Sequence, residues 1–330
     1  MPGSQWDTTT ASKWGSEQGW MTGCNFIPST AINQIEMWQG QSWDPETIER
    51  ELGFASSLGM TTVRVYLHDL VFEAERTAFL DRIDEFLTLA SRRGIKPLFV
   101  FFDDCWNAEA DLGPQPAPRP SVHNSGWVKS PSLSQRNWPE DFRRLEEYVK
   151  AVLERFGEDD RVWMWDLYNE PGNESLGEKT RPLLMRVFEW AWEVRPRQPL
   201  TAGDWSRDLP LRDFLLENSD VISFHNYEPV EKLEAHIEEL KPLGRPLVCT
   251  EWLARTNDSQ PVTHLPVFRE HGVHCINWGL VRGKTNTVWK WGAPEGAPEP
   301  NPWFHDLFWQ DGSPYREEEA ETFRALRGGE

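Results

Sequence analysis

Short apolar runs alternate with longer amphipathic segments about eight times along the 330-residue chain, and this alternation restricts the possible folds more than any other feature. Most of the runs are almost continuously apolar, which is typical of strands that are covered on both faces in a parallel sheet. We therefore predict strands over residues 21–28, 62–67, 96–102, 162–168, 200–203, 221–227, 247–252 and 273–280.

The segments between the runs carry helical patterns. Asp44 and Pro45 are typical of an N-cap and a first helical turn, respectively. One helix face is outlined by apolar residues at steps of three and four, at Phe142, Leu145, Val149, Val152 and Phe156. Further helices are predicted over about 76–93, 180–195, 209–218, 230–241 and 262–271.

Repeated strand–helix units predict an α/β protein with a single closed (β/α)8 barrel, the TIM barrel. The competing fold, an open doubly wound sheet, needs a glycine-rich turn after its first strand, whereas residues 25–28 read Asn-Phe-Ile-Pro. We expect one domain over residues 1–330, with an N-terminal extension at 1–18. A proline-rich loop and a C-terminal helix occupy 293–330 in this interpretation.

One connection is unusually long. Residues 103–138, after the third predicted strand, contain four prolines between 114 and 120 and no periodic apolar pattern. Connections of this length inside a domain are uncommon and usually have a function. A loop of this length could wall off one end of a binding cleft, so that only the end of a chain-like ligand reaches the site, and the sequence leaves open whether it does.

Composition excludes some classes of function. The chain has 34 Lys and Arg against 53 Asp and Glu, a net charge of −19, and no basic stripe, so we expect no nucleic-acid partner. The 19 Trp are more than a core needs, and indole rings are suited to stacking on sugars. The four Cys do not make a disulfide framework, and no zinc-ligand spacing occurs, so no metal or other cofactor is expected.

The chain as given shows no signal peptide, because its first 25 residues lack a basic start followed by an apolar run. No apolar stretch approaches the roughly 20 residues of a membrane span. We therefore expect a cytoplasmic protein, or a secreted one if a leader has been removed. No membrane partner and no obligatory protein partner is indicated.

Polar and aromatic side chains follow the predicted strands. In a barrel of this kind the active site lies at the carboxyl ends of the strands. The strand ends carry Asn25, Arg64, Asp103 and Asp104, Asn169 and Glu170, Asp204 and Trp205, His225 to Tyr227, Glu251 and Trp252, and Asn277 and Trp278. Such groups after apolar runs predict a site at this end.

Two carboxylates stand out among these residues. Glu170 ends the fourth strand and Glu251 the seventh, and these strands face each other across a small barrel. Retaining glycoside hydrolysis needs two carboxyl groups about 5 to 5.5 Å apart, one protonated and one ionised. Both could instead be structural acids paired with Arg64, but two carboxylates buried at one end without a function would be costly.

At these positions the chain resembles the retaining β-glycosidases of clan A, and glycoside hydrolase family 5, the cellulase and mannanase family, most of all. The resemblance runs from about residue 19 to 283. It is carried by Asn-Glu-Pro at 169–171, Glu-Trp at 251–252, His-Asn-Tyr at 225–227 and Trp278. Family members often have His at the end of strand three, where this chain has Asp-Asp-Cys-Trp at 103–106.

The resemblance implies a role for each residue. Glu170 would be the acid/base and Glu251 the nucleophile, with no cofactor. Asn169 would hold the sugar 2-hydroxyl, while Arg64 and Tyr227 would position Glu251. The remaining candidates for contact with a carbohydrate substrate or with the acid/base are His225, Trp278, Trp252, Asp103, Asp104, Trp106 and Trp205. Trp278 is expected as the floor of the site and Trp252 as a wall, whereas Asp103 and Asp104 would contact sugar or cap the loop.

The sequence therefore predicts a retaining β-glycoside hydrolase that acts on a β-1,4-linked plant polysaccharide or oligosaccharide of mannan, glucan or xylan type. Three alternatives stay open at this point. A transglycosylase would use the same residues, and a carbohydrate-binding barrel would lack turnover. A metal-dependent barrel hydrolase would use Asp103, Asp104 and His225.

Overall fold

The computed structural model describes residues 3–136, 142–207 and 210–327. Eight parallel strands form its centre: β1 Thr22–Asn25, β2 Thr62–Tyr66, β3 Lys96–Asp103, β4 Met164–Asn169, β5 Leu200–Thr201, β6 Ile222–His225, β7 Leu247–Glu251 and β8 His274–Trp278. Each lies within or closely overlaps one of the eight predicted strands. The prediction of eight strands is therefore confirmed.

The strands form one sheet that is almost closed. Their order is β5-β4-β3-β2-β1-β8-β7-β6, so consecutive strands are neighbours and β1 pairs with β8. The seam between β5 and β6 is bridged just beyond β5, where the Asp204 N–H donates to the Ser223 carbonyl at 2.9 Å. The predicted (β/α)8 barrel is confirmed.

Helices surround the barrel. They are α1 Thr8–Glu17, α2 Gln34–Trp38, α3 Pro45–Ser57, α4 Asp69–Ser91, α5 Phe142–Phe156, α6 Arg181–Val194, α7 Arg212–Asn218, α8 Val230–Leu240, α9 Pro261–Glu270 and α10 Glu317–Arg327. Asp44 caps α3 by accepting from the Thr47 N–H at 3.0 Å, with Pro45 in the first turn, as predicted. No helix among the described residues is long and apolar enough to cross a membrane.

Two apolar layers explain why the strands are apolar on both faces. Inside the barrel, Leu98, Val100, Val248 and Ile276 are at most 1% exposed and pack together. Outside it, a larger cluster joins the other strand faces to the helices. The inner layer fills the barrel, so only its carboxyl-terminal end is left for a site.

The extension before β1 covers the opposite end of the barrel. Its helix α1 begins after Asp7, whose side chain accepts from the Thr10 N–H at 2.7 Å. Trp14 on this helix stacks on Trp163 beside β4, with ring centroids 6.0 Å apart. The N-terminal segment therefore covers the amino-terminal ends of the strands, at the end of the barrel opposite to the cavity.

Residues 104–132 contain no helix or strand apart from isolated bridges. A short 3-10 turn follows at Leu133–Gln135. The last residues of the predicted 103–138 loop lie outside the described residues, so its full extent stays a prediction. The four cysteines are buried and none forms a disulfide.

Candidate active site

A cavity of about 790 Å³ opens at the carboxyl-terminal end of the barrel. Eight of the twelve site residues predicted from the sequence line it: Trp106, Asn169, Glu170, Trp205, His225, Tyr227, Glu251 and Trp278. These residues come from the ends of five strands and from the loop after β3. The barrel thus brings together side chains that are up to 172 residues apart in sequence.

Glu170 and Glu251 face each other in this cavity. One carboxylate oxygen of each and one ring nitrogen of His225 lie within 4.8 Å of one another. Glu251 ends β7, whereas Glu170 follows the last residue of β4 with a backbone φ of 44°. A positive φ is uncommon for a residue with a side chain and marks a constrained turn, which here directs Glu170 over the barrel mouth.

Glu251 is held by three donors. Its Oε1 accepts from Arg64 Nη1 at 2.9 Å and from the Tyr66 hydroxyl at 3.0 Å. Its Oε2 accepts from the Tyr227 hydroxyl at 2.8 Å. A charged donor and two hydroxyls stabilise the ionised form of a carboxylate and fix its orientation.

Glu170 has different partners. Its Oε1 lies 2.7 Å from His225 Nδ1, and its Oε2 accepts from the Cys105 thiol at 3.1 Å and from the Asn173 amide. Among the described residues, none of the hydrogen-bond partners of Glu170 is an arginine or a lysine. This carboxyl group is therefore placed among weaker and neutral partners.

Burial raises the pKa of both Glu170 and Glu251. The negative charge of each also opposes ionisation of the other, so the pair holds one proton more readily than none. Arg64 contacts Glu251 directly, and the two tyrosine hydroxyls also donate to that side chain. We therefore place the negative charge on Glu251 and the proton on Glu170.

Arg64 joins β4, which precedes Glu170, to Glu251 at the end of β7. It is fully buried and donates to Asp166 at 2.7 Å, to Glu251 at 2.9 Å and to Asn169 Oδ1 at 2.7 Å. Two carboxylates share this one guanidinium, because Asp166 lies beneath the cavity in β4. Asn169 also donates to Asp103 at 2.9 Å, which fixes its amide from both ends.

His225 lies between the two glutamates, with Nδ1 2.7 Å from Glu170 and 3.4 Å from Glu251. Burial lowers the pKa of His225 to about 4, so the ring is neutral at neutral pH. Nδ1 and Glu170 Oε1 then share a single proton. Gly203 leaves room for the ring, since a Cβ there would lie 3.1 Å from His225 Nε2.

Aromatic side chains form much of the rest of the cavity surface. Trp278 is 9% exposed and meets Tyr66 and Trp127 edge to face, at 6.0 and 5.7 Å between ring centroids. Trp106 stacks on His123 at 5.4 Å, and Trp205 donates its indole N–H to the Pro171 carbonyl at 3.1 Å. Rings fixed in this way provide rigid apolar surfaces for a ligand to stack on.

Four predicted residues do not line the cavity: Arg64, which is fully buried, and Trp252, Asp103 and Asp104. Trp252 is 0% exposed and stacks on His264 at 5.9 Å, so the expectation that it forms a wall of the cleft is wrong. It directly follows Glu251, and successive side chains of a strand point to opposite faces. Trp252 therefore faces the helices.

Asp103 and Asp104 lie beneath the cavity, not at its surface. Asp103 accepts from Trp127 Nε1 at 2.7 Å and from the Cys105 N–H at 3.0 Å. Asp104 accepts from Tyr168, Gly172, Thr180 and Arg136. The expectation that Asp103 and Asp104 contact a sugar is wrong. Both carboxylates instead cap the loop that follows β3. Among the described residues, the group of side chains whose ligand atoms converge with those of His225 consists of Glu170 and Glu251, and Asp103 and Asp104 are not part of it.

Several site residues were missed. Tyr66 follows Arg64 by two positions in β2, so the alternation of a strand places both on one face, and this signal was available. Cys105, Asn173 and Asp166 contact Glu170 or Arg64 without any such sequence pattern. Their contacts depend on how separate loops and strands meet.

A known protein family matches most of the chain. The family described as Cellulase (glycosyl hydrolase family 5) matches residues 22–291, which is most of the chain. No curated protein matches the chain.

Solved structures share the fold at low identity. GH5_18 from Streptomyces cattleya, in complex with Manb1-4GlcNAc, is 14% identical with a TM-score of 0.64, over 94% of this chain and 80% of that one. An exo-beta-1,4-mannosidase from an Opitutaceae bacterium is 18% identical with a TM-score of 0.63, over 93% and 59% of the respective chains. The endo-1,4-beta-D-mannanase of Thermotoga petrophila is 13% identical with a TM-score of 0.59, over 94% and 99%.

Proposed function

Because this chain belongs to glycosyl hydrolase family 5 and is an O-glycosyl hydrolase, we propose that it cleaves β-glycosidic bonds with retention of configuration. Glu251 is the nucleophile and Glu170 the acid/base in this proposal. The observation that carries it is the pair of facing carboxyl groups, because one oxygen of Glu170 and one of Glu251 lie within 4.8 Å of each other. This agrees with the separation of about 5 to 5.5 Å between the carboxyl groups of a retaining pair. An inverting enzyme needs roughly 6.5–9.5 Å to admit a water molecule between them.

In the first step Glu251 attacks the anomeric carbon, and the bond from that carbon to the glycosidic oxygen breaks. Glu170 transfers its proton to the departing oxygen, so the leaving group departs as an alcohol. Arg64 and the Tyr227 hydroxyl keep Glu251 ionised and oriented before the attack. The product is a glycosyl ester on Glu251.

In the second step water replaces the leaving group. Glu170, now a carboxylate, takes a proton from the water, whose oxygen bonds to the anomeric carbon while the ester bond to Glu251 breaks. Glu170 must therefore change its protonation state in every turnover. Its weak and neutral partners allow this, since none of them stabilises one form strongly.

The substrate in this proposal is a β-1,4-linked polysaccharide or oligosaccharide of mannan, glucan or xylan type. Mannosides are the first to test, because the similar structures described above are a mannosidase, a mannanase and a complex with a mannose-containing disaccharide. Trp278 forms the floor beneath the sugar that is cleaved, and Asn169 offers its amide to the 2-hydroxyl. A transglycosylase would share all these contacts and differ in the acceptor of the second step.

Azide rescue tests the assignment of the two roles. Glu251→Ala should lose turnover. Azide should then attack the anomeric carbon from the face opposite to the leaving group and give a glycosyl azide of inverted configuration. Glu170→Ala with a dinitrophenyl glycoside should instead give a glycosyl azide of retained configuration. Glu154→Ala, an exposed glutamate on α5, is the matched control and should behave as wild type.

Each of the following outcomes would contradict the proposal. Near-wild-type turnover by Glu251→Ala would refute the nucleophile, and azides of the opposite configurations would exchange the two roles. Loss of wild-type activity in a chelator would favour the metal-dependent alternative. Binding of oligosaccharides without turnover by the wild type would favour a carbohydrate-binding barrel.

A further inference from the structure

The cavity is closed on one side by two segments that are far apart in sequence. Residues 119–127, from the connection after β3, meet residues 284–297, which follow β8. We call these two segments together the closing wall. The wall contributes His123, Asn124, Trp127 and Trp291 to the cavity surface.

Hydrogen bonds join the two segments along their length. The Asn124 N–H donates to the Thr285 carbonyl at 2.7 Å, and the Gly296 N–H donates to the Pro120 carbonyl at 3.0 Å. Side chains add to these bonds, through Ser121 to Ala297, His123 to Trp289, Asn286 to Arg119 and the ion pair of Arg119 with Glu295. Two loops bonded at so many points form one continuous barrier.

The space behind Trp278 is filled. A cavity of only about 20 Å³ remains there. It is lined by the ends of β1 and β2, by Trp278 and by the wall residues Asn124, Trp127 and Thr285. A cavity needs roughly 10–15 Å³ to hold one water molecule. There is room for a water molecule in that direction, and none for a second sugar ring.

The opposite side of the cavity is open. Its surface there is formed by exposed side chains after β4, β5 and β6, namely Glu174, Arg207, Glu228 and Lys232. By contrast, His123, Asn124 and Trp127 of the closing wall are at most 3% exposed, whereas the fourth wall residue at the cavity, Trp291, is 40% exposed. A substrate chain can therefore extend out of the cavity on this side and not on the side of the closing wall.

The proposed catalytic roles give this asymmetry a direction. Glu170 protonates the departing oxygen, so the leaving part of the substrate lies on the side of Glu170 and of the exposed residues that follow β4. The sugar that becomes bonded to Glu251 lies over Trp278, and its non-reducing end faces the closing wall.

We propose that the closing wall leaves room for a single sugar before the cleaved bond, so that the enzyme removes one terminal sugar at a time from the non-reducing end of a β-linked chain. This inference rests on the proposed function. It concerns which substrates reach the two glutamates, not how the bond is broken. The loops thus convert a barrel mouth that could bind along a polymer into a pocket for chain ends.

The first test uses manno-, cello- and xylo-oligosaccharides labelled at the reducing end. The expected result is release of unlabelled monosaccharide, with labelled products that shorten by one sugar at a time. Labelled products of several lengths during the first turnovers, or labelled chains that shorten by two sugars, would overturn the single-sugar pocket while leaving the two-glutamate mechanism intact. Failure to cleave any series or any aryl β-glycoside would instead refute the proposed function, and the role of the wall with it.

The second test uses the same oligosaccharides with a methyl group on the 4-hydroxyl of the terminal non-reducing sugar. We expect kcat/KM to fall by roughly 10- to 200-fold, the discrimination that one extra methylene can cause in a closed pocket. Equal rates on capped and uncapped chains would overturn the proposal.

A wall variant sharpens this test. Replacing residues 293–298 by two glycines removes the contacts of Glu295, Gly296 and Ala297, and should reduce the difference between capped and uncapped chains. Arg324→Ala breaks an exposed ion pair with Glu317 on α10 and is the matched control, expected to keep the wild-type ratio. If the loop variant does not fold, the capped substrates still decide the question with the wild-type enzyme.

Discussion

The surroundings of Glu251 and those of Glu170 are built from different kinds of partner, although the two side chains share one cavity. Glu251 accepts from a buried arginine and two tyrosine hydroxyls. Glu170 contacts a neutral histidine, a thiol and an amide. Burial raises the pKa of both groups, so depth alone does not distinguish them.

Under the proposed function, this difference explains how two identical side chains in one cavity take different roles. A fixed positive charge favours one protonation state throughout the cycle, which suits a group that must stay ionised until it attacks. Weak neutral partners favour neither state strongly, which suits a group that gives up a proton and later takes one. The following predictions test this comparison, from the largest expected effect to the smallest.

Glu251→Gln should abolish turnover on every glycoside, whatever its leaving group. We expect kcat to fall by roughly 10⁴- to 10⁶-fold, as when other catalytic nucleophiles are removed, because the Gln side chain cannot form the glycosyl ester. Steady-state rates on dinitrophenyl and on unactivated glycosides measure this, with the melting temperature as a control for folding. A loss confined to the unactivated glycosides would contradict the assignment.

Glu170→Gln should depend on the leaving group. Bond cleavage in unactivated substrates should slow by roughly 10²- to 10⁴-fold, since they need the proton, whereas a dinitrophenyl group departs without one. Burst-phase kinetics on the dinitrophenyl glycoside should show rapid formation of the glycosyl-enzyme followed by slow hydrolysis. Equal slowing of bond cleavage for both classes of substrate would remove the distinction between the two glutamates.

Tyr227→Phe removes one donor from Glu251 Oε2 and leaves Arg64 and Tyr66 in place. A hydrogen bond to a charged group contributes about 1.5–3 kcal/mol, so kcat/KM should fall by roughly 10- to 150-fold. The lost donor stabilised the carboxylate, so the pKa of Glu251 should rise further and the acidic limb of the kcat/KM profile should move to higher pH. An acidic limb that stays in place would show that Tyr227 does not act through Glu251.

Cys105→Ala tests the weakest partner of Glu170. The thiol stays protonated, because burial and the nearby Glu170 raise its pKa, and as a donor it lowers the pKa of Glu170. Its loss should therefore move the alkaline limb of the profile to higher pH with little change in the maximum rate. Cys105→Ser restores a donor and should return the limb to the wild-type position or below it, while a limb that is the same in all three enzymes would exclude the contact.

The sequence was sufficient for the barrel and for the two glutamates. Strands that are apolar on both faces are a local property of each segment, and their order along the chain determines the order in a parallel barrel. Glu170 and Glu251 were then located by their places at strand ends. The same alternation places the side chain of Trp252 on the face opposite to that of Glu251, so its orientation is also a local property of the strand.

Other parts of the site could not be predicted in this way. Asp104 and Trp205 both follow strands, yet Asp104 is 0% exposed beneath the cavity and Trp205 lines it. The contact of Cys105 with Glu170 joins the loop after β3 to the end of β4, and the closing wall joins that same loop to the residues after β8. Loop conformation is set by contacts with distant segments, and no local period records them.

The sequence by itself therefore determined the architecture, because burial on two faces and helical period are written in neighbouring residues. It also determined at which end of the barrel Glu170 and Glu251 lie, because strand direction follows from chain order. Only the tertiary structure decided how Glu170 and Glu251 differ and which side of the cavity is closed. Both depend on side chains brought within about 3 Å of each other from distant parts of the chain, where hydrogen-bond geometry and burial set the electrostatics.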